Sequence, residues 1–225
     1  MVKALATKWK GLTRKEIIQL TKLSNGGGLT KILKELSSSS FIEEILPFGK
    51  TKKETLFRLI DEYSLFYLTF IDGKRAGKKD IWLQDSKENN YKVWRGYAFE
   101  NICIKHIEAI KRALSIAGVR TEVSGFRSSS TKDGEGIQID MLIDRADQCI
   151  NLCEMKFYND EWTLTKTDAN KLRQRRSRFQ AISKTKKTIF NTIVTTYGIK
   201  SNSYSYEQVD NYVTMDSLFL LESFE

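Results

Sequence analysis

Long uncharged runs are missing from this sequence. Its apolar stretches are interrupted by charges well before the ~20 residues that a membrane helix requires, so no membrane partner is expected. No N-terminal segment combines a basic start, an apolar core and a small-residue cleavage site, and a cytoplasmic protein is expected. Cysteine is scarce. Cys103, Cys149 and Cys153 are odd in number, lie in apolar surroundings and have no zinc-like spacing with the single histidine, His106. That excludes a disulfide framework and predicts buried free thiols in a reducing compartment. Internal repeats are absent, and the one low-complexity tract is Ser37–Ser40.

What remains is an ordinary globular composition, 40% hydrophobic and 29% charged over 225 residues, enough for one large domain or two small ones. The net charge of +9 and pI near 9.3 point to a polyanionic partner once the charge is located. Residues 166–187 carry nine Lys and Arg against Asp168, a net +8 in 22 residues. Within this segment Lys171, Arg173, Arg175, Arg176 and Arg178 are candidates to follow a phosphate backbone.

The first part of the chain holds short amphipathic segments. Thr13-x-x-Glu16 is a capping box ahead of Ile17, Leu20 and Leu23, and a Gly-rich turn at 24–28 precedes a second helical pattern, Leu29, Ile32, Leu33 and Leu36. A hairpin follows, with Gly49-Lys50-Thr51-Lys52-Lys53 as its tip and Thr55–Ile60 as its second strand. Counting a short helix at Met1, the order is that of a winged helix, in which Lys31, Lys34, Lys50, Lys52 and Lys53 are placed for phosphates. The aromatic run at 61–71 is expected to be a helix joining the two parts. Residues 72–80 are the linker candidate. From 81 onward a helix over 91–117 is predicted, then strands near 120–126, 137–144 and 149–157. A basic helix near 165–182, a strand near 187–196 and a final strand and helix complete the pattern. This is an α/β core with a central sheet.

Residues 137–157 carry the chemistry. As two antiparallel strands, they put Gln138, Asp140, Leu142 and Asp144 on one face, and Ile150, Leu152, Glu154 and Lys156 together. If Asp140 lies opposite Glu154, the turn centred on Asp147 needs an odd number of residues, three or five; an even loop would part the two carboxylates. Carboxylates so placed repel unless a cation lies between them. Mg²⁺ suits such an oxygen pair, and Mn²⁺ is the other metal expected. The ion would acidify a water and stabilise a phosphoryl oxygen. Lys156 would orient the water or neutralise the growing charge. Gln138 is an accessory candidate for a water or a metal-bound phosphate. The bland alternative is an ion pair of Glu154 with Lys156 that binds no metal. Asp144 reads as solvated beside Arg145, His106 as packed or at the surface, and Phe66, Tyr67 and Phe70 as core.

Asp140, thirteen intervening residues and Glu154-Met155-Lys156 resemble the PD-(D/E)xK motif of the restriction-endonuclease-like superfamily, with Ile139 where proline is usual. "WRGYAFENICIKHI" (94–107) is similar to that superfamily's first core helix, and Glu100 occupies the place of its additional acid. Nearly the whole chain resembles the C-terminal half of a family of prokaryotic ATPase-associated proteins, through "LFRLIDEYSLFYLTFI", "WRGYAFEN" and the 137–157 hairpin. The resemblance implies a winged helix with a linking helix over 1–72 and a nuclease-like domain over 81–225. In fold-class terms this is α/β, α+β overall, with a restriction-endonuclease-like mixed sheet flanked by helices.

The implied function is Mg²⁺-dependent cleavage of DNA, with Asp140 and Glu154 as ligands, Lys156 as the catalytic cation and Glu100 holding a metal-bound water. RNA is the other nucleic-acid target. The alternative is a catalytically silent DNA- or protein-binding regulatory module of a split or truncated ATPase. Family members carry a P-loop ATPase domain, but no GxxxxGK[ST] occurs here, and "GGGLTK" (26–31) lacks both the spacing and the preceding strand. No ATP site is expected in this chain. A separate ATPase subunit and a second copy of the chain are the protein partners considered.

Overall fold

The computed structural model describes residues 1–73, 89–128 and 136–220. It is a mixed α+β protein that divides into two compact units, Met1–Asn101 and Ile102–Glu225. The division falls inside a helix, later than the expected boundary at 72–81. Most of the proposed linker, residues 74–80, lies outside the described residues.

In the first unit the order is α1 (Val2–Ala6), β1 (Leu12–Thr13), α2 (Arg14–Thr21), α3 (Gly27–Ser38), β2 (Ile42–Ile45) and β3 (Leu56–Leu59). The predicted capping box starts α2: Thr13 accepts from the Glu16 amide, and Glu16 accepts from the Thr13 amide at 2.7 Å. Two-residue β1 was not legible in the sequence; it pairs with β3, giving a three-stranded sheet of order β1-β3-β2. Apart from β1, this is the element order expected from the sequence. Leu5, Ile17, Leu29, Leu33, Ile42 and Leu59 form the core of this unit. The basic hairpin tip folds into a 3₁₀ turn, Lys52–Glu54. The aromatic run forms α4 (Glu62–Phe66), which continues as a π turn to Ile71. Phe66 and Phe70 pack against Trp94 of α5 (Asn89–Lys105), at 5.5 and 5.8 Å between ring centroids. Both are therefore packing residues, whereas Tyr67 is exposed.

The single helix expected over 91–117 is divided. Its described part breaks at His106, which packs edge-on to Phe219 at 4.8 Å, and resumes as α6 (Ile107–Ala113). The second unit is then built on one central sheet. Strands β4 (Thr121–Arg127), β5 (Gln138–Arg145) and β6 (Cys149–Lys156) form an antiparallel meander. Between β6 and the next strand of this sheet come the short strand β7 (Trp162–Thr163) and helix α7 (Lys166–Ser183). The helix crosses over to β8 (Thr188–Thr195), which runs parallel to β6. Strand β9 (Ile199–Lys200) pairs with β7 beside this crossover.

After β9 come α8 (Ser203–Gln208), capped by Asn202, then β10 (Asn211–Thr214) and a 3₁₀ turn, Met215–Leu218. Helix α8 lies in the crossover that the parallel pairing of β10 with β8 requires. With β10 in place the sheet has five strands in the order β10-β8-β6-β5-β4. Strands β6 and β8 are largely buried on both faces, polar Asn151, Asn191, Thr192 and Thr195 included.

Candidate active site

The β5–β6 hairpin has the register on which the site depends. Met141 pairs with Cys153, Leu142 with Leu152, Ile143 with Asn151 and Asp144 with Ile150. The ladder ends at Met141–Cys153; continued by one step, this register would set Asp140 across from Glu154. The loop is the three-residue alternative, Ala146–Gln148, and Gln148 takes the left-handed conformation (φ 63°) that closes a three-residue hairpin. On the other side of β5 the ladder shifts between Ser124 and Phe126, so that Asp140 and Met141 face the single Gly125. Bulges of this kind re-aim a side chain within an otherwise regular strand.

Gln138 donates its amide to Asp140 Oδ1 at 2.9 Å, which agrees with the two sharing a face. Lys156 Nζ meets Glu154 Oε1 at 2.7 Å, so the ion pair of the bland alternative is present. The same ammonium lies 5.8 Å from the ring centre of Trp162, which stacks on Tyr158. Asp144, expected to be solvated, is instead bound by Lys187 Nζ at 2.5 Å. Lys187 also donates to the Arg145 carbonyl, so this cation of the basic segment is committed inside the fold.

The remaining member of the site comes from α7. A Thr165/Asp168 capping box starts this helix, and Leu172 packs with Trp162, Leu164 and Ile193. Ile193 is the parallel partner of Glu154, so α7 covers the face that carries the carboxylates. Arg175 follows Leu172 by three residues and precedes buried Phe179 by four, which puts it on the helix's inward stripe. Its guanidinium contacts Glu154 Oε2. Burial pulls the guanidinium below its ordinary pKa, and the nearby charge of Asp140 opposes that shift. Two carboxylates and two cations thus share a partly buried patch, paired as buried charges must be. Arg175 was expected on the nucleic-acid surface, and the structure corrects that placement. The signal was available, because Arg175 stands where the stripe of Leu172 and Phe179 calls for an apolar residue.

The other site candidates are spread more widely. Glu100 belongs to the first unit, where Arg58 holds it at 3.2 Å. Arg173 and Arg176 pair with Glu207 and Asp210 at 3.5 and 3.3 Å. Lys171 is exposed and Arg178 half-buried. In the first unit Lys31, Lys34, Lys52 and Lys53 are exposed; Lys31 stands 3.9 Å from Glu35, and Lys50 pairs with Glu54 at 3.0 Å. Cys103 and Cys153 are buried as expected, and burial pushes the Cys153 thiol up to about 12, but Cys149 is only half-buried at the hairpin turn. Among the described residues no group of three or more His, Cys, Asp or Glu side chains is placed to hold a metal. No described helix is long and apolar enough to cross a membrane.

No family model and no curated protein matches the chain. Among solved structures it is similar to a protein of unknown function designated AF1548, at 18% identity and a TM-score of 0.36. That similarity covers 52% of this chain and 64% of the other, so the chain spans under two thirds of its neighbour's length.

Proposed function

We propose that the second unit is a divalent-metal-dependent phosphodiesterase acting on DNA, with the winged helix as an additional DNA-binding module. The observation that carries this reading is the hairpin register, which continued by one step sets Asp140 opposite Glu154, together with the bond from Lys156 to Glu154. Asp140, Glu154 and the amide oxygen of Gln138 are hard oxygen donors of the kind Mg²⁺ or Mn²⁺ takes, and they would hold the ion. When bound, the ion would supply an acidified water and charge stabilisation for a phosphoryl oxygen. The chain's own residues do the rest. Lys156 orients the attacking water or neutralises charge on the phosphate. Arg175, with a planar fork that matches phosphate geometry, steadies the same group from the helix side. Lys171 and the exposed lysines of the winged helix hold the backbone through sequence-independent contacts. Glu100 is not needed in this scheme, because its carboxylate already has a partner in Arg58.

One observation favours a silent binding module instead. Both oxygens of Glu154 are taken by cations of the chain itself, so the patch is neutral without metal. Plasmid DNA incubated with the protein and Mg²⁺ or Mn²⁺, beside Asp140→Ala and Lys156→Ala, separates the two readings. The nuclease reading expects cleavage by the parent protein and loss in both variants. Equal cleavage by all three rejects the assigned site, and cleavage by none favours the binding module. A parallel RNA substrate decides the target.

A further inference from the structure

Arg175 is a costly residue for its position. It stands on the inward stripe of α7 between Leu172 and Phe179, where an apolar side chain would pack without desolvating a charge. Three other arginines lie within three positions of it. Two of these, Arg173 and Arg176, meet Glu207 and Asp210, acids outside the hairpin. Arg175 instead reaches Glu154 and lies close enough to Asp140 for that charge to act on it. It therefore holds the Glu154 oxygen that a metal ion shared with Asp140 would need.

We infer that Arg175 is the built-in counter-ion of the Asp140/Glu154 pair and excludes a divalent cation from it in the free protein. The inference deepens the phosphodiesterase reading, since it concerns the metal-holding residues named there. Glu154 offers two oxygens: Lys156 takes Oε1 and Arg175 takes Oε2. A metal ion must displace one of them. Lys156 is the more exposed of the two cations, at 35% against 25%, and can turn its ammonium to water. Even so, a metal that displaced Lys156 alone would still face the guanidinium. The charges give the same result. Two carboxylates against two cations sum to zero, and a divalent ion added beside both leaves an uncompensated +2 in a partly buried patch. Binding of metal and binding of Arg175 are thus mutually exclusive, and removing the guanidinium opens the pair.

The test is Mn²⁺ binding, followed by the electron paramagnetic resonance signal of the free ion, for the full chain and three variants without nucleic acid. Arg175→Met keeps the length and suits the apolar stripe; Arg175→Lys keeps the charge. The parent protein and Arg175→Lys should bind Mn²⁺ weakly. Arg175→Met should bind one ion per chain with affinity raised by about tenfold or more, a typical coupling between competing ligands. Asp140→Asn added to Arg175→Met should return the affinity to the parent level. Circular dichroism checks the fold, and Arg175→Gln replaces the Met variant if that one does not fold. Equal affinity in the parent and in a folded Arg175→Met overturns the inference, as does a gain that survives Asp140→Asn. A gain in Arg175→Met with no DNA cleavage by any form would uphold the inference and reject the phosphodiesterase reading. Asp140-dependent cleavage without that gain would do the reverse.

Discussion

Arg58 should be among the most sensitive positions of the first unit. Its side chain is 3% exposed and lies 3.2 Å from Glu100, which is 14% exposed, while Glu43 stands directly across the β2–β3 ladder. Arg58→Met keeps most of the volume but removes the cation, leaving two carboxylates near one another in a poorly solvated place. Breaking a buried ion pair from one side costs about 3–5 kcal/mol. That is a large part of the ~5–15 kcal/mol that holds a typical domain together. Urea unfolding followed by circular dichroism, with Trp9 and Trp94 fluorescence reporting on this unit, measures the loss. Adding Glu100→Leu should restore most of it, because a buried pair replaced by apolar groups of similar size is often neutral. If Arg58→Met lies within about 1 kcal/mol of the parent, the desolvation reasoning behind this figure is wrong. Glu100→Gln then checks the role of Glu100. Lost stability with any cleavage activity kept marks it as structural, and the opposite pattern would return it to the catalytic set.

Three further outcomes are expected. Burial pushes the Glu16 carboxyl up, but hydrogen bonds from Lys8 and Thr13 together outweigh it and bring the group down to about 2, below its unfolded value of 4.5. Its contribution is therefore present above pH 4.5 and lost as pH falls toward 2, and Glu16→Gln should flatten that part of a stability-against-pH curve. A thiol reagent should modify half-buried Cys149 first and leave Cys153, whose thiol is pushed up to about 12, unreacted until the unit unfolds. Charge reversal at Lys52 and Lys53 should weaken DNA binding for all sequences alike and flatten its salt dependence, by roughly one unit of slope for each phosphate that is no longer neutralised. Unchanged binding would remove the hairpin tip from the proposed DNA surface.

Much of the second unit follows from local rules. Side-chain alternation and a short polar turn fix the β5–β6 register, because a one-residue slip would move Ile139, Met141 and Ile143 to the face that carries the charged groups. The capping boxes at Thr13 and Thr165 are likewise contained within four residues, and both helices begin where those residues require. Elements that depend on distant partners were not legible. Strand β1 is two residues long and exists through its pairing with β3. The place of β10 at the sheet edge follows from its parallel pairing with β8 rather than from its own four-residue pattern.

The same division holds at the candidate site. Sequence alone determined that Glu154 and Lys156 share a strand face and that an odd-length turn would bring Asp140 to the same side. The three-residue turn itself is known only from the structure. Only the tertiary structure decided which charges they meet. Arg175 reaches Glu154 across 21 positions because α7 lies over the sheet, and Arg58 reaches Glu100 across 42. A charge pattern gives the sign that a carboxylate needs nearby. Which cation supplies it depends on how helix and sheet pack, and long-range packing leaves no period in the chain to read.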